Sequence, residues 1–301
     1  MRLKVVSCVG VILAVFMGAG WAQIPCGPTV VPTATLFVNW PEFRYDINHS
    51  GCNPYETILS RSTAGNLALN WKYATGRAIP SSPAVANGIA YIAANGNVYA
   101  LQASTGVLLW QSEFGSTFTD LNSSPAVASG VLYIGSDDSN VYAFKASTGD
   151  LLWTYETTQG YAVRSSPIVA NGIVYVADYN GYVYALTAST GTLLWRYRTA
   201  WGVLSSPAVA NGVVYIGSED DNLYALDANT GALLWKYKTG SYVVSSPSVV
   251  HGVVYVGSYD NNVYALNAST GALLWKYATG NHIDSSPDCG RWDRLHWFAR
   301  R

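Results

Sequence analysis

The 301-residue sequence is 50% hydrophobic and only 12% charged, with 22 Tyr, 11 Trp and 28 Gly, a mixture that suits turn-rich β structure and disfavours helices. Lys plus Arg total 17 against 18 Asp plus Glu, for a net charge of -1. With no basic cluster, the chain is excluded as a nucleic-acid binder that works by neutralising phosphates, and nothing in it reads as a polybasic membrane anchor.

Residues 1–22 open with Arg2 and Lys4, continue as an apolar run from Val5 to Gly18 and close on Gly20-Trp21-Ala22. This pattern predicts a cleaved secretory signal, because the run is shorter than the ~20 apolar residues that span a bilayer. No lipobox precedes Cys26. Export leaves Cys26, Cys52 and Cys289; a Cys26–Cys52 disulfide would add about 3 kcal/mol by restricting the unfolded chain, and the alternative is that both stay free. Residues 23–66 form a lead-in segment without repeats.

From residue 67 the sequence repeats itself. Ser-Ser-Pro recurs at 81, 123, 165, 205, 245 and 285, at spacings of 42, 42, 40, 40 and 40. A full unit, SSPAVANGVVYIGSEDDNLYALDANTGALLWKYKTG from Ser205 to Gly240, holds four short strands, and a period of this length predicts an all-β propeller of four-stranded blades. Ser-Ser-Pro-Ala-Val-Ala, made of small residues, is the innermost strand. Val213–Ser218 and Leu223–Asp227 are apolar throughout, as strands between neighbouring blades should be. The outer strand alternates, Trp235-Lys236-Tyr237-Lys238. Equivalent tryptophans stand at Trp71, Trp110, Trp153, Trp195, Trp235 and Trp275, each after a Thr-Gly turn or its counterpart. Leu67–Tyr73 reads as a fourth strand without its first three and Ser285–Pro287 as the start of a first strand, so five complete repeats are joined by a split or truncated sixth.

The recurring Ala-Ser-Thr-Gly-x-Leu-Leu-Trp resembles the tryptophan-docking motif of PQQ-like, quinoprotein-type β-propeller repeats over residues 67–287, and Trp40–Ser60 resembles the lead-in of such propellers. WD40 is the weaker match, since no Gly-His or Trp-Asp pair recurs. The quinone-dependent alcohol dehydrogenases of this type are longer, have eight blades and hold their cofactor with a vicinal disulfide, a calcium site and a catalytic Asp. This sequence has no Cys-Cys pair and no recognisable calcium set, so no cofactor or metal is expected and PQQ binding does not follow from the repeat. The resemblance instead implies a non-catalytic exported propeller, similar in kind to the propeller subunit of the outer-membrane protein assembly machinery. Its location would be periplasmic or secreted, and its partner a protein or extracellular ligand at the channel mouth. A fragment or relative of a PQQ-dependent dehydrogenase and a carbohydrate-binding propeller are the alternatives.

Binding residues belong where the repeats disagree, in the loops between blades. These loops carry Arg77, Phe118, Tyr161, Arg164, Trp201, Tyr242 and His282, which are the candidate ligand-binding residues. The acidic turns at Asp137-Asp138, Asp178, Glu219-Asp220-Asp221 and Asp260 read as turn chemistry. The Ser-Ser pairs read as small inner-strand residues rather than nucleophiles, since no repeat sets them beside a base. After Pro287 the pattern breaks into DCGRWDRLHWFARR. Dropping the first base of a Trp codon yields Gly, and Trp292 and Trp297 stand 40 residues after Gly252 and Gly257. Residues 288–301 therefore read as an out-of-frame translation of a normal blade, the alternative being a genuine basic tail.

Overall fold

A computed structural model describes residues 39–50, 65, 67–114 and 122–287. The predicted signal peptide, Cys26, Cys52, Phe118 and the 288–301 tail lie outside the described residues. Among the described residues, twenty strands form five four-stranded antiparallel sheets, each in sequence order from the inside out. Blade 1 comprises β1 (Ala84–Ala86), β2 (Ile89–Ala94), β3 (Asn97–Gln102) and β4 (Leu108–Glu113). Blade 2 comprises β5 (Ala126–Ala128), β6 (Val131–Gly135), β7 (Asn140–Lys145) and β8 (Leu151–Glu156). In blade 3 these are β9 (Ile168–Ala170), β10 (Ile173–Ala177), β11 (Tyr182–Thr187) and β12 (Leu193–Arg198). Blade 4 contains β13 (Ala208–Ala210), β14 (Val213–Gly217), β15 (Asn222–Asp227) and β16 (Leu233–Lys238), and blade 5 contains β17 (Ser248–Val250), β18 (Val253–Gly257), β19 (Asn262–Asn267) and β20 (Leu273–Ala278). The fold is an all-β propeller, and among the described residues no helix is long and apolar enough to cross a membrane.

Two turn chemistries shape each blade. The first hairpin turns on a residue pair with both φ values positive, as at Asn211 (51°) and Gly212 (76°), the geometry whose twist matches that of the flanking strands. The third turn ends in a glycine that also faces the neighbouring blade. A Cβ on Gly231 would lie 2.6 Å from the Trp195 ring, and the same approach occurs between Gly106 and Trp71, Gly149 and Trp110, Gly191 and Trp153, and Gly271 and Trp235. While its ring lies on that glycine, the indole N–H donates to the carbonyl of an alanine three residues earlier in the turn. Trp110 reaches Ala146 at 3.0 Å, and Trp71, Trp153, Trp195 and Trp235 reach Ala103, Ala188, Ala228 and Ala268 at 2.9 Å. Each carbonyl from Ala146 onward accepts a second bond from a tyrosine hydroxyl of the preceding blade, as Tyr175 does with Ala228 at 3.0 Å.

Between blades the cores are continuous and apolar, as with Tyr175, Ala185 and Trp195 of blade 3 against Val214, Tyr224 and Leu226 of blade 4. Leu67–Tyr73 departs from the expected strand: the segment is irregular, although Trp71 docks and Tyr73 packs on Tyr99 at 5.9 Å. A fourth strand needs a third strand of its own blade to pair with, and none stands beside it among the described residues.

The two glycine classes predict different costs. Gly212→Ala meets open space and bears only the backbone penalty of positive φ, about 1 kcal/mol, whereas Gly231→Ala adds an overlap with the Trp195 ring and is expected to lose about 2–4 kcal/mol. Urea midpoints of the two variants check this difference.

Candidate functional site

The innermost strands are sheet edges whose backbone groups face the central channel and need partners. The segment Trp40–Ser50 supplies them by passing the five inner strands in order. Trp40 and Val85 exchange two backbone bonds of 2.6 Å, and Val127 donates to the Pro41 carbonyl at 2.7 Å. The Val169 amide serves the Glu42 carboxyl, Val209 donates to the Ile47 carbonyl at 2.7 Å, and Val249 to that of Asn48 at 2.9 Å. Left-handed backbone at Arg44 (61°), Tyr45 (81°) and His49 (54°) gives the segment its curvature.

Burial in this segment moves two ionisable groups. Desolvation, assisted by the charge of Asp46, raises the Glu42 carboxyl to about 8 against the bond from Val169. Desolvation and the charge of Arg44 lower the His49 imidazole to about 3, opposed by its bond to the Pro247 carbonyl. Because a carbonyl can only accept, His49 Nδ1 carries the proton in that 3.2 Å bond.

Above this segment lies a cavity of about 360 Å³. Its wall takes the same two positions from all six Ser-Ser-Pro repeats: Ser82, Ser124, Ser166, Ser206, Ser246 and Ser286, with Pro80, Asn122, Arg164, Leu204, Val244 and Asp284. Phe43, from the lead-in, also lines it. The two serines of each pair have separate tasks. In the later blades the first accepts an amide at the end of its own blade's second strand, as Ser205 Oγ does from Gly217 at 3.1 Å. The second links blades: the amides of Ser82, Ser124, Ser166, Ser206 and Ser246 each donate to the Oγ of the next one along, at 2.8–3.0 Å. Sequence inspection could see small residues here, but not this chain of bonds around the channel.

Outside the cavity, the inter-blade loops meet the turns between second and third strands. Tyr179 donates its amide to Ala162, Glu219 to Gly202 and Tyr259 to Tyr242, so the two sets of loops share one face. Among the described predicted residues Arg164 alone lines the cavity; it grips Asp137 with two bonds of 3.0 and 3.2 Å and lies 6.0 Å over the Tyr179 ring. Tyr161 (42% exposed), Trp201 (65%) and Tyr242 (45%) stand outward on the rim. Arg77 is exposed, its carbonyl accepting from Thr75 Oγ1 at 3.1 Å. Exposed His282 sits with its ring 4.7 Å from Tyr259, which in turn lies 6.2 Å from Tyr242. Tyr179 and Tyr259, missed in sequence, extend this aromatic surface; each was hidden inside an Asp/Asn-rich turn. Trp201 is exposed but rigidly backed, its carbonyl accepting from Thr199 Oγ1 at 2.6 Å and Ser218 Oγ at 3.2 Å.

The acidic turns are structural. Asp138, Asp220 and Asp260 accept a backbone amide two residues on and the hydroxyl of Tyr142, Tyr224 and Tyr264. In blade 3 the buried Asp178, two positions earlier in the repeat, reaches the equivalent Tyr184 at 2.7 Å. Among the described residues no group of three His, Cys, Asp or Glu side chains is placed to hold a metal ion.

The family profile described as outer membrane protein assembly factor BamB matches residues 61–200 and 179–287. The chain belongs to that family of PQQ-like propeller repeats. Among solved structures, it is similar to BamB from Moraxella catarrhalis, with a TM-score of 0.59 at 20% identity over 68% of this chain and 65% of that one. It is also similar to the quinohemoprotein alcohol dehydrogenases of Pseudomonas putida HK5 (0.67, 21%, over 85% of this chain and 51% of that one) and Comamonas testosteroni (0.66, 19%, over 80% and 49%). The chain thus spans about half to two thirds of the length of these proteins. No curated protein was found to match the sequence.

The buried pair predicts a bell-shaped stability profile. The folded state holds the Glu42 proton up to about pH 8, while the unfolded chain releases it near 4.5, so stability falls as pH rises between those values. The unfolded chain protonates His49 below 6.5 and the folded state resists this to about pH 3, so stability falls again as pH drops between those values. Urea titrations should find the maximum between about pH 4.5 and 6.5. Glu42→Gln should flatten the alkaline limb and leave the acid one.

Proposed function

We propose that this protein is an exported, non-catalytic propeller that uses its rim to bind an extended segment of another protein. The observation that carries this reading is the set of exposed aromatic side chains on one rigid face, with Tyr161, Trp201 and Tyr242 backed by hydrogen-bonded loops. Large aromatic groups held in place before binding lose little entropy on contact, and such residues dominate protein interfaces. Membership of the BamB family supports a role in protein assembly at the bacterial envelope, and a periplasmic location with it. The dehydrogenase neighbours support the fold alone.

A quinone cofactor fits poorly. PQQ is a tricarboxylate, and among the described residues the cavity lining offers a single cation, Arg164, already held by Asp137. The serine oxygens beside it are engaged with backbone amides, and the carboxylate of Asp284 in the same lining repels an anion.

The test is a library of extended envelope-protein peptides titrated against the protein and its rim variants. Trp201→Ala and Tyr242→Ala are each expected to weaken binding tenfold or more without shifting the thermal midpoint, an interface hot spot being worth roughly 2 kcal/mol. Saturable retention on a glycan array, lost in Trp201→Ala, would assign the rim to carbohydrate instead. Dye reduction by the protein with added PQQ and calcium would overturn the non-catalytic reading.

A further inference from the structure

The two serines of a Ser-Ser pair differ in what becomes of the hydroxyl proton. The first serine gives it to a backbone carbonyl: Ser81 to Ala93 at 2.9 Å, and Ser123 to Ser165 and Ser165 to Ala177 at 3.0 Å. The second accepts the amide of its counterpart in the preceding repeat, which occupies a lone pair and leaves the proton unused. For Ser124, Ser166, Ser206 and Ser246 no acceptor of that proton stands among the described residues, although each is only 4–5% exposed and lines the cavity. Four buried O–H donors on one cavity wall suit a group rich in acceptor oxygens. They bond most strongly to a carboxylate, where each bond is assisted by charge.

The charged groups of the lining decide what can carry that carboxylate. Arg164 and Asp284 hold equivalent places in the third and sixth repeats, with Leu204 and Val244 between them in the series and Pro80 and Asn122 at the remaining two places. Asp137, which fixes the Arg164 guanidinium at 3.0 Å, does not line the cavity, so the pair turns its positive end inward. A plain anion is drawn to one side of this cavity and repelled at the other. A molecule with both signs is suited at both. Phe43, Leu204 and Val244 offer apolar surface for the rest of it, and a volume of about 360 Å³ lies at the small end of ligand pockets, roughly 300–1,000 Å³.

We propose that the channel-mouth cavity binds a small zwitterion, a free α-amino acid with an apolar side chain, whose carboxylate sits among the hydroxyls of Ser124, Ser166, Ser206 and Ser246 while its ammonium faces Asp284. This site is separate from the aromatic rim and stands on different observations.

The direct test titrates L-leucine, L-valine and L-phenylalanine singly into the full chain and follows backbone amide shifts by NMR. At least one should bind saturably and move the amides of Ser82, Ser124, Ser166 and Ser206, which donate to the hydroxyls in question. The N-acetyl derivative of that amino acid, which loses the ammonium, and its amide, which loses the carboxylate, should each bind at least tenfold more weakly, a charged hydrogen bond being worth about 1.5–3 kcal/mol. Asp284→Asn, at an exposed loop position, should keep the thermal midpoint and abolish the preference for the free amino acid over its N-acetyl derivative. Trp201→Ala should bind the amino acid unchanged, which separates this cavity from the rim. No saturable binding of any of the three amino acids, equal binding of the two derivatives and the parent, unaltered preference in Asp284→Asn, or loss of binding in Trp201→Ala would each overturn the proposal.

Discussion

One contact governs the assembly: a tryptophan ring lying on a glycine of the next blade while its indole N–H reaches an alanine carbonyl in the same turn. The ring supplies a large apolar area, the hydrogen bond fixes its angle, and the glycine permits the approach. No other residue suits that glycine's place, because its positive φ and the ring's proximity both exclude a side chain. A four-stranded sheet has two apolar faces and cannot cover either alone. Repetition therefore follows from the contact, and the sequence repeats most strictly where the contact is made.

A second constraint operates at the axis. Five short inner strands turn their edges toward one channel, and their polar backbone must be satisfied without strands of their own to pair with. The lead-in from Trp40 to Ser50 does this one strand at a time, and its Phe43 lines the cavity. The cost is a pair of buried ionisable groups, Glu42 held protonated and His49 held neutral. The hub thus couples the propeller's stability to pH.

The blades were legible because their information is local and repeated: strand patterns, Asn-Gly and Thr-Gly turns, and the tryptophan that follows. The course of the lead-in was not, since Glu42 and His49 read as ordinary polar residues until the channel buries them. Leu67–Tyr73 misled for the opposite reason, having the composition of a strand without a neighbour to make it one. On the rim, the variable loops correctly marked the face, but composition could not say that Arg164 would turn inward to Asp137 while Tyr161, Trp201 and Tyr242 stayed outside. Tyr179 and Tyr259 were overlooked because their turns were explained by aspartate alone. A signal for them existed, in that the position they share reads Asn95, Asp137, Tyr179, Glu219 and Tyr259 across the five repeats.

The central claim is that tryptophans held in a neighbouring turn pin the blades together. Site-resolved NMR exchange of the indole N–H protons tests it most directly. Trp110, Trp153, Trp195 and Trp235 should exchange slowly, with protection approaching that of global unfolding, while Trp201, exposed on the rim, exchanges at a rate near that of a free indole. Equal exchange rates for the docked tryptophans and Trp201 would contradict the account.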